Sequence, residues 1–174
     1  MLLSYFITDP SYPFEKILEA IKTYKPTFVC YRNKKYFDKD EIIEFAKFAK
    51  NYSKIFINLD SLKDNNLLEL FHGVHIPSKR LNEIQNYNNK IIIASTHNLQ
   101  EVKKAKDANY ITFSPIFDSK NRKGLGIEIL DTIVKFHPKV IALGGIISDK
   151  EIEKIKKTKA IGFGSIRYFL KEEK

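Results

Sequence analysis

The chain has 174 residues, of which 43% are hydrophobic and 29% are charged, and its formal net charge is +9. This length suits one domain over residues 1–174, and the composition is typical of a globular protein. No apolar run reaches the roughly 18 residues of a membrane span, the start lacks a signal peptide, and the single cysteine, Cys30, excludes an intramolecular disulfide. We therefore expect a cytoplasmic protein that has no disulfide framework and does not insert into a membrane.

Short apolar, β-branched segments alternate along the chain with segments of helical periodicity. This alternation is typical of βα units around a parallel sheet. Eight strands and no glycine-rich turn after the first favour a closed (β/α)8 TIM barrel over an open doubly wound sheet. The predicted strands are Leu3–Thr8, Thr27–Tyr31, Lys54–Asn58, Gly73–Ile76, Ile91–Ser95, Tyr110–Phe113, Val140–Leu143 and Ala160–Phe163.

The clearest predicted helix is Asp40–Lys50, where apolar side chains form one broad stripe and Asp38 or Asp40 can cap the first turn. This chain is well below the roughly 250 residues typical of the barrel, so some helices must be short or missing. The other predicted helices are Leu99–Ala105, Ile127–Phe136 and Asp149–Lys157, with Ser148 or Asp149 as the last N-cap, and weaker candidates at Asp60–Leu70 and Ser78–Asn86.

Glycines end the last two predicted strands. Gly144 and Gly145 follow the seventh strand, and Gly164 and Ser165 follow the eighth. In this fold the active site lies at the C-terminal ends of the strands, and the last two loops commonly bind phosphate. Backbone N–H groups beside glycine can approach an anion closely. These glycines could instead serve only tight turns, but their paired position favours a phosphate site.

Polar side chains end three other predicted strands and should face the same mouth. Cations, amides, a hydroxyl and an imidazole in one place suit an anionic heterocyclic or phosphorylated ligand. Each residue also has a plainer interpretation, such as a helix cap for Asn98. The candidates are Arg32 and Lys34 after the second strand, Asn58 after the third, and Thr96, His97 and Asn98 after the fifth.

Two histidines, His75 and His97, lie at strand ends on the mouth side, so either can transfer a proton near neutral pH. His75 has an equally weighted alternative as a packed residue that points into the barrel. The sequence shows no pair of strand-end carboxylates, so a dedicated magnesium site is not expected.

The positive charge is mostly spread over helix faces, where lysines alternate with acidic residues. This dispersal does not favour nucleic acid as a partner. The denser group Lys120-Asn121-Arg122-Lys123 is different, because it lies in a loop just after a strand and can bind an anion.

Seven strand-end motifs resemble, in order, those of the thiamin phosphate synthase and TenI superfamily, over almost the whole chain. The resemblance implies a role in thiamin biosynthesis and a phosphate site at the glycines, which both branches share. The synthase joins hydroxymethylpyrimidine diphosphate to thiazole phosphate with magnesium, whereas TenI tautomerises thiazole carboxylate phosphate. The motifs are residues 5–9 (YFITD), 31–34 (YRNK), 57–58 (IN), 73–78 (GVHIPS), 95–102 (STHNLQEV), 110–117 (YITFSPIF) and 140–146 (VIALGGI).

The resemblance also implies residue roles. Lys120 and Arg122 lie in the loop where the synthase has a diphosphate-binding lysine. In a TenI-like protein, Arg32 or Lys34 could hold the thiazole carboxylate, whereas in the synthase the matching positions bind pyrimidine or diphosphate. The residues that match positions for pyrimidine or diphosphate in the synthase are Arg32, Lys34, Asn58, Thr96, His97 and Asn98.

Departures from the family pattern bear on the activity. Leu59 and Arg80 replace the two magnesium carboxylates of the synthase, and Cys30 replaces a glutamine. Pro115 occupies the position of the catalytic histidine of TenI tautomerases. This proline is synthase-like, so neither activity transfers intact. The retained phosphate site and the absent metal carboxylates nevertheless favour a TenI-like protein that needs no cofactor, with His75 or His97 as the proton carrier.

Two alternatives remain open: a divergent synthase, which alone would need magnesium, and a non-catalytic carrier of thiazole phosphate. The expected partner is a phosphorylated thiazole. A homodimer, or a contact with the thiazole synthase, is the expected protein partnership.

Overall fold

The protein, described over residues 1–171 by a computed structural model, forms a closed barrel of eight parallel strands. Each strand pairs with the next in sequence, and the last pairs with the first through Phe6 opposite Ser165. The predicted (β/α)8 barrel is therefore confirmed. The strands are β1 (Leu3–Ile7), β2 (Phe28–Tyr31), β3 (Lys54–Asn58), β4 (Gly73–Ile76), β5 (Ile91–Thr96), β6 (Tyr110–Phe113), β7 (Val140–Leu143) and β8 (Gly162–Ser165).

The predicted shortening of helices is also seen, and it falls mainly between β3 and β5. There the connections are 3-10 helices. Later in the chain, α3 and α4 have only six residues each. Among the described residues, no helix has the length and apolar content that crossing a membrane requires. The α-helices are α1 (Phe14–Tyr24), α2 (Lys39–Ala49), α3 (Leu99–Lys104), α4 (Glu128–Ile133) and α5 (Asp149–Ile155), and the 3-10 helices are Leu59–Ser61, Asn65–Leu70 and Ser78–Tyr87.

Side-chain caps fix where several of these helices begin. Asp38 accepts the N–H of Glu41 at the start of α2, and Ser148 forms a capping box with Glu151 at the start of α5. Both belong to the predicted cap positions. Helix α1 was not predicted, although Ile17, Ala20 and Ile21 bury one helical face.

Alternate side chains of each strand point to two separate cores. The outer core lies between the strands and the helices. The inner core fills the barrel and is strongly aromatic, with Tyr5, Phe28 and Phe56 in edge or tilted contact. Cys30 is fully buried among them, and burial raises the pKa of its thiol to about 12, which agrees with a packing residue rather than a nucleophile.

The last strand begins two residues later than predicted. β8 pairs with β7 through Leu143 opposite Gly164, and with β1 through Phe6 opposite Ser165. Gly164 and Ser165 therefore belong to the strand itself and do not follow it, which corrects the predicted boundary. Glycine suits this position because a Cβ on Gly164 would lie 2.9 Å from Cδ1 of Leu143.

Candidate active site

A cavity of about 700 Å³ opens at the C-terminal ends of the strands. Residues from all eight strand ends line it, because parallel strands in a barrel all end on one face. Eleven predicted site residues lie in its wall: Arg32, Lys34, Asn58, His75, His97, Lys120, Arg122, Gly144, Gly145, Gly164 and Ser165.

Two other predicted ligand-binding residues lie elsewhere. Thr96 is fully buried, and its hydroxyl donates to the carbonyl of Thr112 at 2.7 Å. The Asn98 side chain accepts the N–H of Glu101 and caps α3. Both polar groups are used by the fold, so the structure does not place them in the cavity wall.

The ends of β7 and β8 form a concave backbone surface, which we call the cradle and define by Gly144, Gly145, Ile146, Gly164 and Ser165. The φ angles of Gly144 and Gly145 are +102° and +71°, in the region that disfavours other residues. A Cβ on Gly145 would lie 2.6 Å from the carbonyl oxygen of Asp118. The two glycines are therefore required by the close approach of the β6–α4 loop as well as by the turn.

Three backbone N–H groups in the cradle, or directly after it, have no protein acceptor. Within residues 1–171, the N–H groups of Gly145, Ile146 and Ile166 donate to no protein atom. Ser165 is different, because its Oγ donates to the carbonyl of Ile146 at 2.6 Å and accepts the N–H of Tyr168. Ser165 thus joins the ends of β7 and β8, while the free N–H groups can bind an anion.

Positive side chains surround the mouth. Six cationic residues line the cavity against two carboxylates, Asp9 and Asp60. Lys120 has a φ of +46° in a tight turn closed by hydrogen bonds between Ser119 and Arg122. An excess of cations in a concave site concentrates anionic ligands. The cations are Arg32, Lys34, Lys79, Lys120, Arg122 and Arg167.

The cavity carboxylates are paired with cations. Oδ1 of Asp60 lies 3.3 Å from Nη1 of Arg80, and Oδ2 lies 3.7 Å from Nζ of Lys34. Asp9 Oδ2 lies 4.0 Å from Arg32. In the described part of the chain, no three His, Cys, Asp or Glu side chains are grouped to hold a metal. These residues do not fit magnesium, which prefers several free oxygen ligands.

His75 is held in the barrel interior. Its Nδ1 lies 2.7 Å from the Tyr5 hydroxyl, and its Nε2 lies 2.6 Å from Oγ of Ser95. Burial, aided by the positive charges of Arg32 and Lys34, lowers the pKa of His75 to about 3. Both ring nitrogens are occupied, so His75 is a packed neutral residue that positions Ser95 at the cavity wall.

His97 has a different setting. Its side chain is 36% exposed, and its Nδ1 lies 3.0 Å from Oε1 of Glu101, one turn along α3. The same carboxylate accepts the N–H of His97 at 2.9 Å. Because Nδ1 is engaged, Nε2 is the nitrogen left for a ligand, as in a histidine that a carboxylate orients for proton transfer.

Three residues of the site were not predicted from the sequence. Arg167 and Lys79 line the mouth, and Glu101 orients His97. Glu101 could have been found, because a glutamate in the first turn of a helix can reach back to the residues just before the helix N-cap. Pro115 has no side-chain group that could transfer a proton in place of the TenI histidine. Its neighbour Ser114 lines the cavity.

Comparison with known proteins agrees with this geometry. A profile of the thiamine monophosphate synthase family, TMP-TENI, matches residues 4–168. The chain therefore belongs to the thiamine monophosphate synthase family, a family of thiamin biosynthesis. A comparison with curated protein sequences gave no match.

Solved structures show the same fold. Thiamine phosphate pyrophosphorylase from Pyrococcus furiosus aligns over 97% of this chain and 93% of its own, with 21% identity and a TM-score of 0.74. (S)-3-O-geranylgeranylglyceryl phosphate synthase from Thermoplasma acidophilum, in complex with sn-glycerol-1-phosphate, aligns over 98% and 87%, with 11% identity and a TM-score of 0.62. An HpcH/HpaI aldolase from Desulfitobacterium hafniense covers 94% and 85%, with 9% identity and a TM-score of 0.65.

Proposed function

We propose that the protein binds a phosphorylated thiazole and catalyses a TenI-like tautomerisation, in which one proton moves between two positions of the ligand. The observation that carries this proposal is the His97–Glu101 pair, in which His97 lines the same cavity as the cradle. Family membership supports the ligand class, since both activities implied by the sequence resemblance act on a thiazole phosphate.

In the proposed reaction, His97 Nε2 removes a proton from the ligand, and the electron pair of that bond moves into the thiazole system. The imidazolium then returns the proton at the second position, so atoms and charge balance. The Glu101 carboxylate holds the ring through Nδ1–H and stabilises the transient positive charge. Ser95, fixed by His75, can donate a hydrogen bond to the ligand from the same wall.

The cavity can hold a ligand with two anionic ends. The unpaired N–H groups of Gly145, Ile146 and Ile166 suit its phosphate, with the guanidinium of Arg167 on the same rim. Arg32 suits a carboxylate because its guanidinium presents a planar donor fork and Asp9 holds it only loosely, at 4.0 Å. The pairing of Asp60 with Arg80 and Lys34 supports binding without magnesium.

Purified protein mixed with the thiazole carboxylate phosphate tautomers tests the proposal by following their interconversion with NMR. We expect turnover by the native protein and a loss of about 10²-fold or more in His97→Gln, the usual contribution of a general base. Calorimetry should show that His97→Gln still binds thiazole phosphate. No turnover by the native protein, with tight thiazole phosphate binding, would instead indicate the non-catalytic carrier.

A divergent synthase is a second candidate, favoured by Lys120, Arg122 and Arg167 on one side of the mouth. Three cations there can offset the charge of a diphosphate that a metal would otherwise share. This candidate predicts thiamin phosphate from hydroxymethylpyrimidine diphosphate and thiazole phosphate. Absence of that product with excess magnesium would reject it.

A further inference from the structure

A second large cavity lies at the opposite end of the barrel from the mouth. It is a basin of about 880 Å³, formed by the turns that lead into β2, β3, β4, β6 and β7. Four lysines from three turns surround it, which we call the basal lysines: Lys25, Lys50, Lys54 and Lys139.

The basin carries uncompensated positive charge. No aspartate or glutamate lines it. Within residues 1–171, none of the basal lysines forms an ion pair. The pKa of His72, on the basin wall, is lowered by burial and then by the charges of Lys54 and Lys90. The charge of Lys54 therefore reaches into the basin wall.

One basal lysine occupies a costly backbone conformation. Lys25 ends α1 with φ +45° and ψ +59°, where helices usually place glycine. A residue with a Cβ atom is disfavoured in this left-handed conformation. Packing does not explain the lysine, because its side chain is exposed.

Unused polar groups also face the basin. Oγ of Ser53 is buried and has no hydrogen-bond partner within the described chain, and Ser53 lines the basin. Asn109 lines it too; its Oδ1 accepts the N–H of Ile92, which leaves its amide donors available. A buried hydroxyl without a partner is uncommon and calls for a ligand or an ordered water.

We propose that the basin is a second anion-binding site that takes a linear polyphosphate-type anion, separate from the ligand of the mouth. The basal lysines come from three turns around one rim, with Lys50 and Lys54 at the two ends of the same turn, so a chain of phosphates can bridge from one turn to the next. Lysine ammonium groups act as point charges that suit phosphate oxygens in varied geometry. The amide of Asn109 adds a neutral donor to the lining.

NMR titration with tripolyphosphate at about 0.15 M salt, where long-range surface charge effects are screened, tests the proposal. We expect saturable shifts at Ser53, His72 and Asn109, fitted separately from any at Gly144 and Gly145. Lys54→Gln should weaken basin binding at least tenfold. The matched control is Lys63→Gln, which removes an exposed charge outside both cavities and should change it less than twofold.

Lys25→Gly gives an independent readout. It should weaken basin binding while leaving the unfolding midpoint unchanged or higher, because glycine adopts positive φ without strain. The proposal is overturned if shifts occur only at the mouth, if Lys63→Gln weakens binding as much as Lys54→Gln, or if an oligonucleotide binds the basin more tightly than tripolyphosphate. None of these outcomes depends on the thiazole activity.

Discussion

The Tyr5 hydroxyl and Nδ1 of His75 lie 2.7 Å apart inside the barrel, where their rings stack with centroids 5.9 Å apart. Because the other ring nitrogen faces Ser95, His75 links the aromatic inner core to the cavity wall. This contact separates the two candidate histidines into a structural residue and a residue open to the ligand.

The burial of His75 predicts a pH dependence of stability. Its pKa is about 3 in the folded protein and near the ordinary 6.5 in the unfolded chain. The unfolded state therefore takes up a proton first as the pH falls, so this residue's contribution to stability declines from about pH 6.5 towards pH 3. Denaturant unfolding across this range should show the decline in the native protein and a flatter profile in His75→Gln. Identical profiles would contradict it.

Glu101 should act on turnover more than on binding. Glu101→Gln keeps an acceptor for the His97 N–H but removes the negative charge beside the imidazolium. We expect kcat to fall about tenfold, less than the roughly 10²-fold or more of the general base itself, with thiazole phosphate affinity unchanged. Glu101→Ala should also lose about 1 kcal/mol of stability with the local hydrogen bond. Equal losses of affinity and kcat in Glu101→Gln would show that the carboxylate shapes the site rather than assisting the proton transfer.

Crowding at the cradle predicts a difference between two glycines. In Gly145→Ala, the new Cβ meets two backbone carbonyl oxygens at 2.6 and 2.7 Å, and φ is +71°. In Gly126→Ala, φ is +85°, but the nearest atom, at 2.8 Å, belongs to the flexible Glu128 side chain. We expect a loss of about 1 kcal/mol for Gly126→Ala and clearly more for Gly145→Ala, with phosphate affinity lost only in the latter. Urea unfolding and calorimetry measure both.

The Asp60 ion pairs predict that magnesium has little effect on ligand binding. Both Asp60 oxygens face cations, so the metal would have to displace Arg80 or Lys34. Thiazole phosphate affinity should agree within twofold in EDTA and in millimolar magnesium. A tenfold increase with magnesium, lost in Asp60→Asn, would contradict the arrangement.

The sequence predicted the barrel well because the periodicity of the strands and the glycines at the strand ends are local signals. Cap residues such as Asp38 and Ser148 were likewise readable from a few neighbouring positions. The start of β8 was not, because its register depends on pairing with both β7 and β1. The burial of Thr96 escaped for the same reason: its acceptor, the carbonyl of Thr112, belongs to another strand.

The site was predictable by location but not by role. Strand-end positions placed His75 and His97 near each other, yet the contact of Tyr5 with His75 spans 70 positions in the sequence. The basal lysines gave no sequence signal, since they come from three turns that are far apart in the sequence.

The 3-10 helices before and after β4 allow a closed barrel to be built from a short chain. A 3-10 helix rises about 2.0 Å per residue, so the six residues Asn65–Leu70 climb about 12 Å. The four residues of β4 climb about 13 Å at strand spacing. The 3-10 helix Asn65–Leu70 therefore spans the height of the strand with fewer residues than an α-helix would need. The outward side chains of Val74 and Ile76 are still fully buried. Replacing α-helices by 3-10 helices is therefore a way to design a shorter barrel whose strands remain covered.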